Sequence, residues 1–338
     1  MSGPPSPHGS RPNDGWSLGR VVVVGTIAVA VAAVLVAHPP TDLLASPYGR
    51  SAREGTATSV TALRGAFGAS EDVRLQLRMP GELFDFPIEV RGPETPVEYQ
   101  WLSAEDSSAI VPPRILTGTT VTAPVRPGFY RLAVEQGEGR HIVDSVVVAV
   151  LVPFSVKLGS SLNGYRIGRY RWEHSPDEVA PPKGFVEVRS ADTELPVSTH
   201  FVLGDFLTHD GQETWPRYLA LDVRIVDKVE LVLHYLGSRQ RVIPVDMHSG
   251  FRTPLHNLHV PRAASDSRHQ YGDAADLAID ADGDGRFTEL DELAVSHAVE
   301  MVERDHPELV GGLGLYGNNG TSGYVHIDVR GQRKRWRG

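Results

Sequence analysis

The chain has no cysteine among its 338 residues. That removes disulfide frameworks, thiolate metal sites, cysteine nucleophiles and a lipid anchor built on cysteine. Export remains open, because a domain with a large core needs no cross-links. A surplus of positive charge is also missing: 33 Lys and Arg stand against 42 Asp and Glu, for a net charge of -9 and a pI near 5.9. No general attraction to nucleic acid is expected, and none is expected as a partner. The exception is the basic C-terminal run Arg330, Arg333, Lys334, Arg335 and Arg337, which reads as a solvated tail.

What is present begins with a polar lead-in. Residues 1–20 are rich in Pro, Gly, Ser and Asn and are expected to form a disordered cytoplasmic tail. Between Arg20 and His38 runs VVVVGTIAVAVAAVLVA, without a charge. At 1.5 Å per residue such a helix spans roughly 25 Å, enough for a bilayer core. A transmembrane signal anchor at 21–38 is preferred to a cleaved signal peptide, because of the long polar lead-in and the poor small-x-small match after the run. Arg11 and Arg20 precede the span, so the later domains are expected outside the cytoplasm. Residues 39–57, with Pro39, Pro40, Pro47, Gly49 and Gly55, read as a linker.

From 58 to 153 short apolar stretches alternate with turn signals: VRLQLRM, FPIEV, VEYQWL, GFYRLAVEQ and HIVDSVVVAVLV. They predict a small antiparallel sandwich with an immunoglobulin-like flavour around Trp101 and Gly128–Val134. It carries no visible chemistry, and its protein partners are unknown. Residues 154–196 read as a β-rich connector. From 197 to 338 helices and strands mix without a βαβ repeat, which points to α+β. One helix is expected from about Pro216 to Leu236, on the spacing of Leu219, Val223, Val226, Val229 and Leu233, with Gly237 as its stop. Another is expected from about Thr288 to His306.

Two strands in this region present polar side chains amid clearance. In AADLAID, Ala275, Leu277 and Ile279 face one way and Asp276 the other, between Ala274 and Ala278. In YVHIDV, Val325, Ile327 and Val329 share a face, while Tyr324, His326 and Asp328 share the opposite one. His269 precedes Asp276 by seven residues, in a loop that Gly272 can bend sharply. Two histidines and a carboxylate make a three-ligand zinc set with an open fourth position, as in catalytic sites.

SRHQYGDAAD resembles the S-x-H-x-x-G-x-A-x-D signature of the zinc D-Ala-D-Ala carboxypeptidases, whose fold is shared with hedgehog signalling domains. YVHIDV resembles that family's second signature, and STHFVLGDF and SGFRTP resemble further segments in order. The likeness covers 197–338. It implies that His269, Asp276 and His326 hold Zn2+, that Arg252 binds substrate charge, and that the chain cuts peptidoglycan stem peptides in the bacterial envelope. It departs from the pattern where relatives place a general base, at Thr321, Ser322 and Gly323, none of which is a competent base. Asp328 is the residue within the motif to weigh as a substitute, against a role in orienting His326. His248, His256 and His259 read as loop or surface residues. The alternative is a catalytically inactive metal-bearing binding module of the same fold.

A second constellation follows: Asp280, Asp282, Asp284, Arg286, Thr288 and Asp291, with Gly285 at the sixth position. It fits a calcium loop and resembles EF-hand and dockerin loops, although the last position is Asp rather than Glu. Ca2+ there competes with an acidic turn that only caps the following helix.

Overall fold

The computed structural model describes residues 59–62 and 68–338, apart from 87, 92–95, 119, 138, 238–241 and 318–322. The expected tail 1–20, membrane span 21–38 and linker 39–57 lie outside the described residues. Among the described residues no helix is long and apolar enough to cross a membrane. All of them belong to one unit, Gly55–Gly338.

The first part is β-rich, as its alternating patterns require. The main strands are β1 (Leu75–Arg78), β2 (Leu83–Asp85), β3 (Glu98–Ser103), β4 (Thr120–Thr122), β5 (Gly128–Gln136) and β6 (Gly139–Val150). A five-stranded sheet runs in the order β1, β6, β5, β3 and the short strand Arg114–Ile115. The β1/β6 pair is parallel, so the sheet is not the purely antiparallel one expected. β2 pairs with β4. Phe84, Phe86, Trp101, Tyr130 and Leu132 fill a core of their own. The Trp101 indole N–H donates to the Thr122 carbonyl at 2.7 Å, which satisfies its one polar atom.

The run VVVAVLV at the end of β6 shows why it lacks polar alternation. Val148 and Val150 enter this small core. Val147, Ala149 and Leu151 point the other way, into the large core of the C-terminal part. A strand buried on both faces has no solvent side on which to place polar residues. The chain then continues through Val152–Pro153 into a three-stranded sheet with β7 (Gly184–Val188) and β8 (Arg217–Leu219). Residues 154–196 are therefore part of the C-terminal core rather than a separate connector: Tyr165, Tyr170 and Phe185 share it with Ile225, Leu277 and Val325.

Helix α1 is Val223–Leu236, shorter than the helix expected from Pro216. Leu219 keeps the helical spacing but lies in β8 opposite Val186. Asp222 starts the helix, its side chain accepting from the Arg224 N–H at 3.0 Å. One turn into α1, Asp227 accepts from the backbone N–H groups of Ala69 and Ser70 at 2.8 and 2.6 Å, tying the β-rich part to the helix. After β9 (Val245–Ser249), α2 (Pro254–Asn257) and β10 (Ala274–Ile279) comes α3 (Glu289–Asp305), which Thr288 and Asp291 cap reciprocally.

β11 (Gly312–Tyr316), β12 (Tyr324–Asp328) and β13 (Lys334–Arg337) complete the second five-stranded sheet, in the order β9, β10, β12, β11, β13. Ala275, Leu277, Ile279, Val325 and Ile327 are fully buried in the large core. α1 and α3 pack on each other and touch β12 and β11 respectively. The basic run is no solvated tail. Arg333, Arg335 and Arg337 pair with Glu300, Glu303 and Glu292 of α3 at 2.5, 2.6 and 3.1 Å. Beneath them Lys228, with no exposed side-chain surface, donates to Glu303 and to the Asp328 carbonyl, both at 2.8 Å.

Candidate metal centre

Opposite the core face, the C-terminal sheet carries Asp276 on β10 and His326 on β12, directly paired in register. His269 reaches them from the short 3-10 turn Arg268–Tyr271. That turn ends at Gly272, whose φ is +73° and whose missing Cβ would lie 2.2 Å from the Ala220 carbonyl oxygen. Any side chain there would strain the backbone and collide with it. The turn is also tied to the SGFRTP segment: the Arg252 N–H donates to the His269 carbonyl at 3.1 Å. SGFRTP in turn leans on the LGDF segment, where the Phe251 N–H donates to the Phe206 carbonyl at 2.9 Å.

The three side chains are all buried. His269 Nε2 lies 3.1 Å from Asp276 Oδ1 and 3.2 Å from His326 Nδ1, and His326 Nδ1 lies 2.8 Å from Asp276 Oδ1. Ligand bonds of about 2.0–2.1 Å in a tetrahedron put ligand atoms roughly 3.3–3.4 Å apart, so the triangle is close to one face of a zinc site. Proton placement points the same way. His269 Nδ1 lies 2.6 Å from the Gly250 carbonyl, which can only accept, so that nitrogen carries the proton and Nε2 offers a lone pair. His326 Nε2 faces Asp328 at 3.1 Å, which leaves its Nδ1 lone pair for the cavity. Two lone pairs and a carboxylate oxygen then face one point, an arrangement that a cation satisfies.

Burial opposes charge on Asp276, yet His269 and His326 hold its carboxyl well below the usual range. Burial lowers the His269 pKa. Burial opposes charge on His326 too, but Asp276 and Asp328 on either side raise its pKa.

The remaining expected residues take distinct places. Asp328 is fully buried and turned away from the cavity. It accepts from the Gly312 N–H at 2.7 Å and from Arg330, besides facing His326 Nε2. Burial would raise its pKa, but these partners hold it well below the usual carboxylate range. Arg252 meets Asp276 through its η2 nitrogen and donates from Nε to Ser249 at 2.8 Å. Gly323 is buried, while Thr321 and Ser322 lie outside the described residues.

Several residues on this face escaped the sequence reading. His248 is no loop residue: it sits in β9 where the register shifts between Met247 and Ser249. Such a bulge turns two successive side chains to one side, and the His248 ring lies 6.0 Å from that of Tyr324. Tyr324 stacks on Tyr316 at 4.6 Å, and burial with the nearby Asp276 charge pushes its pKa up to about 12. Trp336 lies 5.2 Å from His326 and donates to the Tyr316 hydroxyl at 2.8 Å. Its indole occupies the space where Gly314 has no side chain. The signal was present in GLGLY, whose glycines Gly312 and Gly314 share one face and leave room for a large neighbour.

The family model for peptidase M15 matches residues 206–328. These residues are the M15-like region of the chain, referred to as the M15 region. Among solved structures, an L-Ala D-Glu endopeptidase of Serratia marcescens, ChiX, is similar at 19% identity. The match covers 32% of this chain and 80% of that one, with a TM-score of 0.24. No curated protein matches. The M15 region contains all three metal-facing residues and Arg252, and it stops short of Arg330 and Trp336.

The acidic loop after β10 lies within the M15 region as well. Asp280, Asp282 and Asp284 each offer a carboxylate oxygen within 4.8 Å of the others. Asp291 does not open toward them. It is fully buried and accepts from the N–H groups of Ala281 and Thr288, each at 2.7 Å, and from the Thr288 hydroxyl at 2.9 Å. Arg286 contributes its backbone N–H to Asp284 at 2.8 Å.

Proposed function

We propose that the chain is a zinc-dependent peptidase acting on the stem peptides of peptidoglycan, with His269, Asp276 and His326 as ligands. The observation that carries this reading is the convergence of three electron-pair donors whose outward polar atoms are already engaged. Bound zinc would supply a Lewis acid and an acidified water. Asp328 fixes the tautomer of His326. Arg252 steadies Asp276 and keeps its η1 nitrogen uncommitted among the described residues, available to negative charge on the substrate. In this reading His248 accepts the proton of the attacking water, as the imidazole on the metal face that holds no metal.

The test is mass spectrometry of products after the zinc-loaded chain meets purified peptidoglycan and D-Ala-terminated stem peptides, with His269→Ala as control. Cleavage lost in that variant supports the peptidase. His248→Ala should then lower kcat by about 10²- to 10⁴-fold at unchanged zinc content. Intact substrates despite stoichiometric zinc would favour a binding module instead. Two observations lean that way: Thr-Ser-Gly at 321–323 offers no base, and Asp328 faces away from the cavity.

The uncharged run at 21–38, preceded by Arg11 and Arg20, supports anchorage in the bacterial cytoplasmic membrane with this face outside the cytoplasm. The acidic loop is read as a calcium site that braces the end of β10, supported by the three clustered carboxylates. Removing calcium while zinc stays bound should lower the melting temperature; an unchanged value refutes it.

A further inference from the structure

A second concavity, a cleft of ≈ 240 Å³, opens beside the SGFRTP segment. Arg166 walls it from a part of the chain that precedes the M15 region, Gln212 and Asp210 from the loop after Phe206, and Leu255, His256 and His259 from the turn after Arg252. Thr253 also lines it, so the cleft begins one residue from the arginine that grips Asp276.

The polar groups of this lining divide into two sets. Asp210 accepts from the Tyr165 hydroxyl at 2.7 Å and from the Gln212 backbone and side chain. Gln212 exchanges hydrogen bonds with the backbone N–H and carbonyl of Arg166 at 3.1 and 3.0 Å, which fixes that residue at the rim. The second set is uncommitted. The Arg166 guanidinium and the His256 and His259 rings have no hydrogen-bond or ion-pair partner among the described residues. Three donors without a hydrogen-bonded acceptor among the described residues thus border one cleft, whose one carboxylate, Asp210, is engaged by Tyr165 and Gln212.

We propose that this cleft is a specificity subsite that takes a side-chain carboxylate of the substrate peptide. The inference rests on the peptidase reading above. Arg166 supplies the charge, His256 and His259 supply N–H donors, and Leu255 lines the path of the methylene stem. Burial lowers the pKa of His256 against the opposing charge of Asp210, which favours the neutral ring with its one N–H. The permanent charge is therefore that of Arg166. Cleft and metal site share the SGFRTP segment, so a peptide held at the metal can place a neighbouring side chain here.

The test uses the full chain stripped of metal, so that nothing is cut, and calorimetric binding of three synthetic stem peptides. One has a free side-chain carboxylate, the second has that group amidated, and the third is amidated at its C-terminus instead. Side-chain amidation should weaken binding about 10-fold or more, the worth of a charge-assisted hydrogen bond. Arg166→Gln should erase the difference, and Arg166→Lys should restore part of it. Equal binding of acid and side-chain amide, or discrimination that survives Arg166→Gln, overturns the proposal. A loss caused by C-terminal amidation alone, and abolished in Arg166→Gln, overturns the side-chain assignment.

Two further readouts separate this inference from the peptidase reading. In the zinc-loaded chain Arg166→Gln should raise KM for the acidic peptide and spare kcat. Equal kcat/KM for acid and amide keeps the peptidase and removes the subsite. If no stem peptide is cut, glutarate should still shift the His256 and His259 resonances in the wild type and not in Arg166→Gln. That result keeps the carboxylate site while the peptidase reading falls.

Discussion

Asp328→Asn changes one atom type at a buried position, and its consequence can be worked out from the partners. One carboxylate oxygen, Oδ1, accepts from the N–H groups of Gly312 and Arg330 at 2.7 and 3.1 Å. The other oxygen, Oδ2, accepts from the Arg330 side chain and faces His326. An asparagine therefore sets its NH2 group against donors either way. With its oxygen on the two backbone N–H groups it keeps both of those bonds and loses those from the Arg330 guanidinium to Oδ2. The NH2 then points at His326 Nε2, 3.1 Å away, and donates to it. The imidazole responds by carrying its proton on Nδ1, the atom 2.8 Å from Asp276 and 3.2 Å from His269. That proton occupies the direction in which the proposed zinc ion would be held. Losing the outer partner of a ligating histidine costs about 10- to 100-fold in metal affinity, or about 1.4–2.7 kcal/mol. Zinc affinity is measured by competition with a chromogenic chelator at pH 7.5, with circular dichroism to confirm the fold. A dissociation constant within about twofold of the wild type would refute the reasoning.

Three more predictions concern the frame around the site. Lys228→Met removes the buried cation between Glu303 and the Asp328 carbonyl, and should cost about 3 kcal/mol in urea unfolding, as breaking a buried pair does; an unchanged midpoint contradicts it. Gly314→Ala places a Cβ 2.4 Å from the Trp336 ring and should destabilise by about 1–3 kcal/mol through overpacking, with a shift in tryptophan emission as the indole leaves His326. The hydrogen bond to Glu230, 2.6 Å away, raises the His200 pKa above the imidazole value against opposing burial. A raised pKa gives stability that is complete below the unfolded value near 6.5 and fades as pH rises through the folded value. Melting curves of wild type and His200→Gln should therefore differ at pH 6 and converge at higher pH.

The convergence of His269, Asp276 and His326 was legible because its cues are local. Period-two alternation places Asp276 and His326 on one face, and a seven-residue loop brings His269 back to them. What was hidden depends on distant partners. Leu219 satisfies the helical spacing of α1, yet pairing with Val186, more than thirty residues away, makes it a strand residue. The basic C-terminal run looks solvated until the carboxylates of Glu292, Glu300 and Glu303 on α3 are placed beside it. His248 belongs to the metal face only through a bulge, which no pattern of hydrophobicity announces. Arg166 is an ordinary charged residue of a short hairpin in sequence, and its cleft exists only because the 154–196 segment folds into the M15 core.

The strand β6 sends alternate side chains into two different cores, and this has a mechanical meaning. A strand shared in this way cannot act as a hinge, because any rotation of one part would draw Val147, Ala149 and Leu151 out of the other. A fragment cut at residue 197 would leave their partners facing water. The β-rich part therefore sets the orientation of the face that carries His269, Asp276 and His326.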